Sequence, residues 1–459
     1  MKHLIASLRS GNWRALLACF LYFDTGFTVW VMLGPLAPYV SKQLALSPSQ
    51  AGFLVAVPVL SAAILRVTLG NLFQSTHGRR LALLGMLLSS IPSLVLLFPI
   101  MPTYSLLLAL GVLLGVGGAS FAIALPMAGS SYPPRVQGLV LGLAAAGNIG
   151  AVVDGFVFPT LAQHVGWQRA TAAALPLLAL SAAAVLWWGE DRSAKSGNAA
   201  RGFAGFVVSL LSILGLVAAV HAGWFGHGKT GLLLLPVLGA AVALAVLPRT
   251  YRRVLGERDA WVIMLVYSIT FGGFVGMSSY VSLLLTTQYD LSKVDAGLMM
   301  AALSFMGAMV RPVGGHLADR LSGVKVLLVL LAGIALSNLA FVLAMPPLIG
   351  AVALLAGLYL CFGLGNGATF QLVPHRWKGK TGLMTGIIGA AGGIGGFYLP
   401  VVMGIAKEST GSYQLGFATF GVLAALAFAF VVVLQRQWLA WSAPDTVRMP
   451  IELAMAPTE

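Results

Sequence analysis

Arg66 and Arg311 each lie deep inside an apolar run. A guanidinium in hydrocarbon costs several kcal/mol unless it faces water, a counter-charge or a bound anion. Each stands eight residues before the polar end of its run, at Gln74 and Asp319. At ~1.5 Å per residue that is about 12 Å into an apolar layer of roughly 30 Å, close to mid-depth. Both occur in one pattern, Arg66-x3-Gly70-x-Leu72 and Arg311-x3-Gly315-x-Leu317, at an offset of 245 residues. Two such forks facing each other across a cavity would hold a small planar oxyanion through paired hydrogen bonds. The alternative is that each arginine pairs with a buried acid. Only Asp24 and Asp154 lie within apolar runs, and the sequence places neither beside an arginine. Either could offset the second positive charge, cycle a proton, or serve core pairing alone.

The chain that must position these groups has 459 residues, of which 27 are basic and 13 acidic. Charged residues make up 9% of it, against about 25% in an ordinary soluble domain. Hydrophobic residues make up 59%. That combination excludes soluble, fibrous, disordered and disulfide-rich readings, and the two cysteines, Cys19 and Cys361, both sit in apolar runs. The net charge of +14 is spread over short loop clusters, which excludes a nucleic-acid partner and points to membrane topology.

The expected fold is an all-α membrane protein of about fourteen transmembrane helices, embedded in the lipid bilayer. The spans read 14–40, 51–73, 81–101, 104–130, 136–164 and 168–189, then 203–223 and 230–248, then 258–287, 294–318, 324–345, 347–374, 380–405 and 412–437. Four segments follow: a six-helix half at 1–190, a linker with an extra hairpin at 191–257, a second half at 258–441 and a tail at 442–459. Either middle run could instead lie along the interface. With cytosolic termini, twenty basic residues face the cytosol and five (Lys42, Arg169, Lys229, Lys293 and Lys407) face outward. That bias matches the positive-inside rule. The first span is too long for a cleavable leader and lacks a small-residue cleavage site.

The two sixes repeat each other. Ala145-Ala146-Gly147-Asn148-Ile149-Gly150 matches Ala390-Ala391-Gly392-Gly393-Ile394-Gly395, again at an offset of 245, and Gly118-Ala119-Ser120-Phe121 resembles Gly367-Ala368-Thr369-Phe370. Small residues such as Gly147, Gly150, Gly392, Gly393 and Gly395 let helices approach closely and slide. Asn148 could donate to an anion or bond to a neighbouring helix. The rings of Phe27, Trp30, Phe121, Tyr267, Phe271 and Phe370 fall where they could wall a flat anion, with Tyr267 adding a donor; singly, each could be packing or lipid contact. No Walker A sequence or metal-ligand spacing occurs, so the chain reads as neither an enzyme nor a cofactor or metal protein.

Parallel repeats with a site at mid-depth resemble the major facilitator superfamily. Gly314-Gly315-His316-Leu317-Ala318-Asp319-Arg320 is similar to its signature after the second helix of a half, which implies a gating role for Asp319 and Arg320. Gly70-Asn71-Leu72-Phe73-Gln74 with Arg79 and Arg80 is the first-half version, with Gln74 where an Asp is usual. More narrowly, Phe20–Asp24 with Phe27–Pro35, together with Ala144–Gly150 and Gly389–Pro400, resembles the nitrate/nitrite porters. The resemblance implies that Arg66 and Arg311 bind substrate, that Asn148, Tyr267, Phe27, Phe121 and Phe271 line the cavity, and that the partners are nitrate, nitrite and protons. It implies a monomeric, multi-pass protein of the cytoplasmic (inner) membrane working by alternating access; the signature motifs do not set the direction of net transport, and it is Asp24 and Asp154 that could permit proton-coupled uptake, in nitrate assimilation. The alternatives are nitrate/nitrite antiport, another small or organic anion, or a non-transporting sensor. Gly202–Pro248 is not part of the twelve-helix pattern, Gly393 stands opposite Asn148, and Asp154 is unusual at the end of the first signature. The insertion is expected to be peripheral to the pathway. Deleting 203–248 behind a retained linker should leave some flux in proteoliposomes, whereas complete loss in a correctly inserted protein would count against a peripheral role.

Overall fold

The structure, a computed structural model, describes residues 10–133, 136–225, 229–377 and 381–441. The tail 442–459 lies outside the described residues, as do Lys2, Arg9, Arg135, Lys378, Lys380 and Arg448 of the charge distribution. Thirteen helices are long and apolar enough to cross a membrane. The first half holds α1 (Trp13–Leu44), α2 (Pro48–Phe73), α3 (Gly78–Leu97), α4 (Tyr104–Ser130), α5 (Val140–Val165) and α6 (Trp167–Trp188). The insertion is α7 (Ala199–His221) and the shorter α8 (Thr230–Val246). The second half holds α9 (Arg258–Gln288), α10 (Lys293–Leu321), α11 (Gly323–Leu343), α12 (Leu348–Arg376), α13 (Leu383–Thr410) and α14 (Gln414–Ala440). The expectation of fourteen spans thus resolves into thirteen full-length helices and α8, whose 17 residues reach about 26 Å.

Burial follows position. The α2 span is wholly buried, α1, α4 and α9 are largely so, and α7 is mostly exposed. Helices α2, α5, α9 and α13 are rich in small residues, so backbone can approach backbone. The halves meet along three seams. In α2–α13, a Cβ on Gly52 would overlap the Pro400 carbonyl and one on Gly404 the Pro48 carbonyl. In α5–α10, Gly155 and Gly297 face each other in the same way, and in α1–α9 Gly34 lies against Ser279.

These approaches all belong to the end of the bundle that carries the α1–α2 loop. The Glu408 carboxylate completes the closure there. Its Oε2 accepts from Ser47 Oγ (2.8 Å) and the Ser49 amide (3.0 Å), and its Oε1 pairs with Lys229 Nζ (3.2 Å). A carboxylate at the first turn of α2 also meets the positive end of that helix. Lys293 adds a cation–π contact over Tyr39, at 4.3 Å.

The opposite end, which carries the termini, differs. Arg311–Leu321 packs on α11, α12 and the rest of α10, and Gln137–Ala145 packs on first-half helices. Gly142 and Gly386 have open space where a Cβ would project. Among the described residues no hydrogen bond or ion pair joins the halves beyond Arg66 toward this end. Among the described residues the halves are therefore tied together at one end and show open space at Gly142 and Gly386 toward the other. The linker is strapped to the first half instead: Asp191 Oδ2 accepts from the Gly78 amide (2.7 Å) and pairs with Lys195 (2.6 Å). Burial opposes the Asp191 charge, but hydrogen bonds from Lys195, Ser193 and Gly78 outweigh it and hold the carboxyl below its ordinary range.

The insertion lies against α2 and α4 of the first half and α13 of the second. It is anchored by Tyr398 Oη donating to the Leu233 carbonyl (2.8 Å) and by the Lys229–Glu408 pair. Glu408→Ala removes three inter-element contacts at the closed end in one change. Spin labels at Lys42 and Leu415 should then report a larger population of long distances; an unaltered distribution would show that Glu408 does not hold this end shut.

Candidate anion-binding site

Two helix irregularities build the site. In α4 the Ala122 amide bonds to the Ala119 carbonyl, a tighter i−3 pattern, and this leaves the Gly118 carbonyl free of its usual partner. In α10 the helix breaks at Val310, with Pro312 just inside the second segment, because proline removes a helical donor and crowds the preceding turn. Arg311 sits at that kink.

Arg66 is 2% exposed. Its Nη2 donates to the freed Gly118 carbonyl and its Nη1 to the Gly389 carbonyl, both at 3.0 Å. Gly118 is in the first half and Gly389 in α13, so one guanidinium bridges the halves. Its carbon lies 5.0 Å from the Phe121 ring, 5.5 Å from Trp30 and 5.6 Å from Phe271. Desolvated cation–π contacts of this kind contribute up to ~2 kcal/mol each. The rings hold each other in place. Tyr267 and Phe271, one turn apart on α9, stack at 5.1 Å with planes 3° apart. Phe27 lies edge-on to Trp30 at 5.1 Å, Trp30 stacks on Phe271 at 6.5 Å, and Trp30 Nε1 donates to the Pro58 carbonyl at 2.9 Å.

Arg311 is half-buried and faces Phe370 at 5.9 Å, with Phe370 edge-on to Tyr267 at 5.0 Å. It lies near enough to Arg66 for their charges to act on each other, and Tyr267 interacts with both. The two forks are not used alike. Arg66 spends both terminal nitrogens on carbonyls and keeps an unpartnered Nε, whereas Arg311 keeps an unpartnered Nη1. Two like charges in an aromatic enclosure, each with a spare donor and, among the described residues, no carboxylate in an ion pair with either, form a site that gains by accepting an anion.

The other expected site residues fall around this centre. Phe27, Phe121, Tyr267 and Phe271 are brought together with the arginines. Asn148 is buried on a 3₁₀ segment, Ala146–Ile149, that packs on α1 and α10, and its Oδ1 has no partner among the described residues. It is not hydrogen bonded to either arginine. Asp24 and Asp154 lie close enough to each other for their charges to interact, on α1 and α5, and neither is paired with an arginine. Asp154 is fully buried with neither carboxyl oxygen partnered among the described residues. Gly147 and Gly150 pack against Asp24 and Thr28 of α1, Gly392 against the Tyr267 and Phe271 rings, Gly393 against Ala63, and Gly395 against Ser268. Asp319 and Arg320 are exposed at the end of α10, with no ion pair among the described residues. Missing from the expected site were the Gly118 and Gly389 carbonyls. Gly118 and Gly367 recur at equivalent places in the repeat, which signals tight packing but not a ligand role for a main-chain oxygen.

The chain matches the family model described as Major Facilitator Superfamily over residues 16–397. It is similar to a nitrite extrusion protein of Bacillus subtilis, at 30% identity over 91% of both chains. It is also similar to a protein named probable nitrate/nitrite transporter NarK2 of Mycobacterium tuberculosis, at 31% identity over 90% of this chain and 93% of that one. A crystal structure of a POT family transporter in complex with 5-aminolevulinic acid shares the fold, with a TM-score of 0.69 at 15% identity over 93% of this chain and 97% of that one. Matched along both halves and built around the geometry above, the chain is a membrane transporter and not an enzyme, and it belongs to the nitrate/nitrite porter family of the major facilitator superfamily.

Proposed function

We propose that the protein carries nitrate, nitrite or both across the cytoplasmic membrane by rocking its two halves about the Arg66–Arg311 site. The observation that carries this reading is the pair of facing guanidiniums with spare donors inside a ring of aromatic side chains. A small planar monoanion matches both the forks and the flat walls. The names of the relatives at 26–31% identity support the same substrate class. With termini in the cytosol, as the distribution of basic residues favours, the parted end faces the cytosol.

In the cycle, the anion binds Arg311 and the spare donor of Arg66, with Tyr267 supplying a further hydrogen bond. An anion between the like charges offsets one of them, weakens their repulsion and lets the parted ends approach. The seam at the α1–α2 loop then opens, and Glu408 releases Ser47 and Ser49. Asp24 and Asp154 serve as the coupling acids, which makes uptake proton-linked. A second reading, nitrate/nitrite exchange, is favoured by the lack of an acid paired with either arginine: an empty site would then resist reorienting until another anion arrives.

The test is flux into proteoliposomes, with and without a proton gradient and with and without internal nitrite. Arg66→Lys and Arg311→Lys keep the charge but lose the planar fork, and each should lower nitrate flux by about tenfold or more. Undiminished flux in either would sink the clamp. Asp154→Asn should abolish accumulation driven by a proton gradient while leaving exchange intact. If wild-type flux depends on internal nitrite and ignores the gradient, exchange is the correct reading.

A further inference from the structure

A cavity of about 150 Å³ opens between α2, α8, α9 and α13. Ile64 and Val67 of α2 line one side, Ile387 and Ala390 of α13 the other, and Ala243 of α8 and Trp261 of α9 close it. The first two residues flank Arg66 in the chain and the next two flank Gly389, so the cavity is lined by the same stretches of α2 and α13 that carry the hydrogen bond joining the halves. A second apolar cavity, of about 250 Å³, continues along α13 and shares Ile394 with the first. Together they follow α13 from Ile387 to Val402, which is about 22 Å of helix rise against a hydrocarbon layer of roughly 30 Å. The groove is thus long, narrow and apolar, and it starts at the membrane boundary near the termini.

Its mouth is positively charged. The short helix Arg249–Val254 joins α8 to α9 there. Arg252 is committed to capping α8, through the Leu244 carbonyl at 2.9 and 3.0 Å. Arg253 and Arg258 are exposed, and neither has an ion pair among the described residues. The acids beside them, Glu257 and Asp259, are already taken by Arg376 at 3.0 and 2.9 Å. Trp261 is 55% exposed and donates to the Leu255 carbonyl, at 2.7 Å, the posture of an indole at a membrane interface.

We propose that this groove is a binding site for one anionic phospholipid, with an acyl chain laid along α13 and the headgroup held by Arg253 and Arg258. A tail fits a channel that is apolar along its length and lies at hydrocarbon depth. The anionic headgroup follows from two exposed arginines, Arg253 and Arg258, that have no ion pair among the described residues, while the neighbouring Glu257 and Asp259 both point to Arg376. The outer wall is α8, so the insertion completes the site. The bound tail lies against the stretches of α2 and α13 that carry the Arg66–Gly389 contact.

The experiment uses the full-length protein in detergent, titrated with phosphatidylglycerol or phosphatidylcholine of matched chains, with the retained lipid counted by native mass spectrometry. One phosphatidylglycerol per chain should be retained in preference to phosphatidylcholine. Arg253→Gln and Arg258→Gln should each weaken its retention roughly fivefold. Ala243→Trp fills the cavity from the α8 side and should displace the lipid although both arginines remain. Equal retention of the two lipids overturns the headgroup assignment. Phosphatidylglycerol that stays bound in Ala243→Trp overturns the placement of the tail, and should that variant fail to fold, the two arginine variants decide. No nitrate is used, so this outcome is independent of the transported substrate.

Discussion

A guanidinium cannot be left bare in hydrocarbon, and the centre of this protein is arranged around supplying one with acceptors. Arg66 takes a carbonyl from each half. One of them, Gly118, is available only because α4 tightens at Ala119 and releases it. The Gly389 carbonyl belongs to the opposite half, so the bond holds only while α2 and α13 stay together at that level. Any movement that separates them there strands a charge that needs a replacement acceptor. An anion in the cavity is such an acceptor, which ties occupancy of the site to the position of the halves with no separate signalling element. The three rings around the guanidinium lower the cost of its burial without competing for its donors.

Symmetry of sequence does not become symmetry of chemistry. The repeat puts Arg66 and Arg311 at equivalent positions, yet one lies mid-helix with both terminal nitrogens engaged and the other at a proline kink with Nη1 open. Gly118 gives its carbonyl to Arg66, while its counterpart Gly367 packs against the Arg311 main chain. The first half therefore contributes a fixed charge and the second an adjustable one. A pair with one anchored and one free member can grip anions of slightly different size, since only one fork must shift.

Much of this was legible in the chain, for identifiable reasons. Scarce charge fixes the spans, because each ionisable group in hydrocarbon needs a reason to be there. Arg66 and Arg311 stand out for that cause and for their common offset. The Tyr267–Phe271 stack follows from four-residue spacing on one helix. What stayed hidden depends on groups that residue types do not encode. A main-chain carbonyl becomes a ligand only when a helix tightens, and no single residue announces that. Asp24 and Asp154 are 130 positions apart and meet only because Gly147 and Gly150 let α5 lie flat on α1. Asn148 was singled out for its residue type, but the sequence did not show that it rides on a 3₁₀ turn packed on α1 and α10 with its Oδ1 unpartnered among the described residues.

The shortness of α8 has a mechanical consequence. At about 26 Å it falls short of a hydrocarbon layer of roughly 30 Å, while its neighbours α2 and α13 exceed that thickness. A short helix fixed between long ones draws the bilayer in around itself, at a cost of a fraction of a kcal/mol for each ångström. Because α8 packs on α2 and α13, such thinning would fall beside the seam where those two helices, one from each half, meet. In the proposed cycle, thin and thick membranes should therefore set different resting balances between its two orientations.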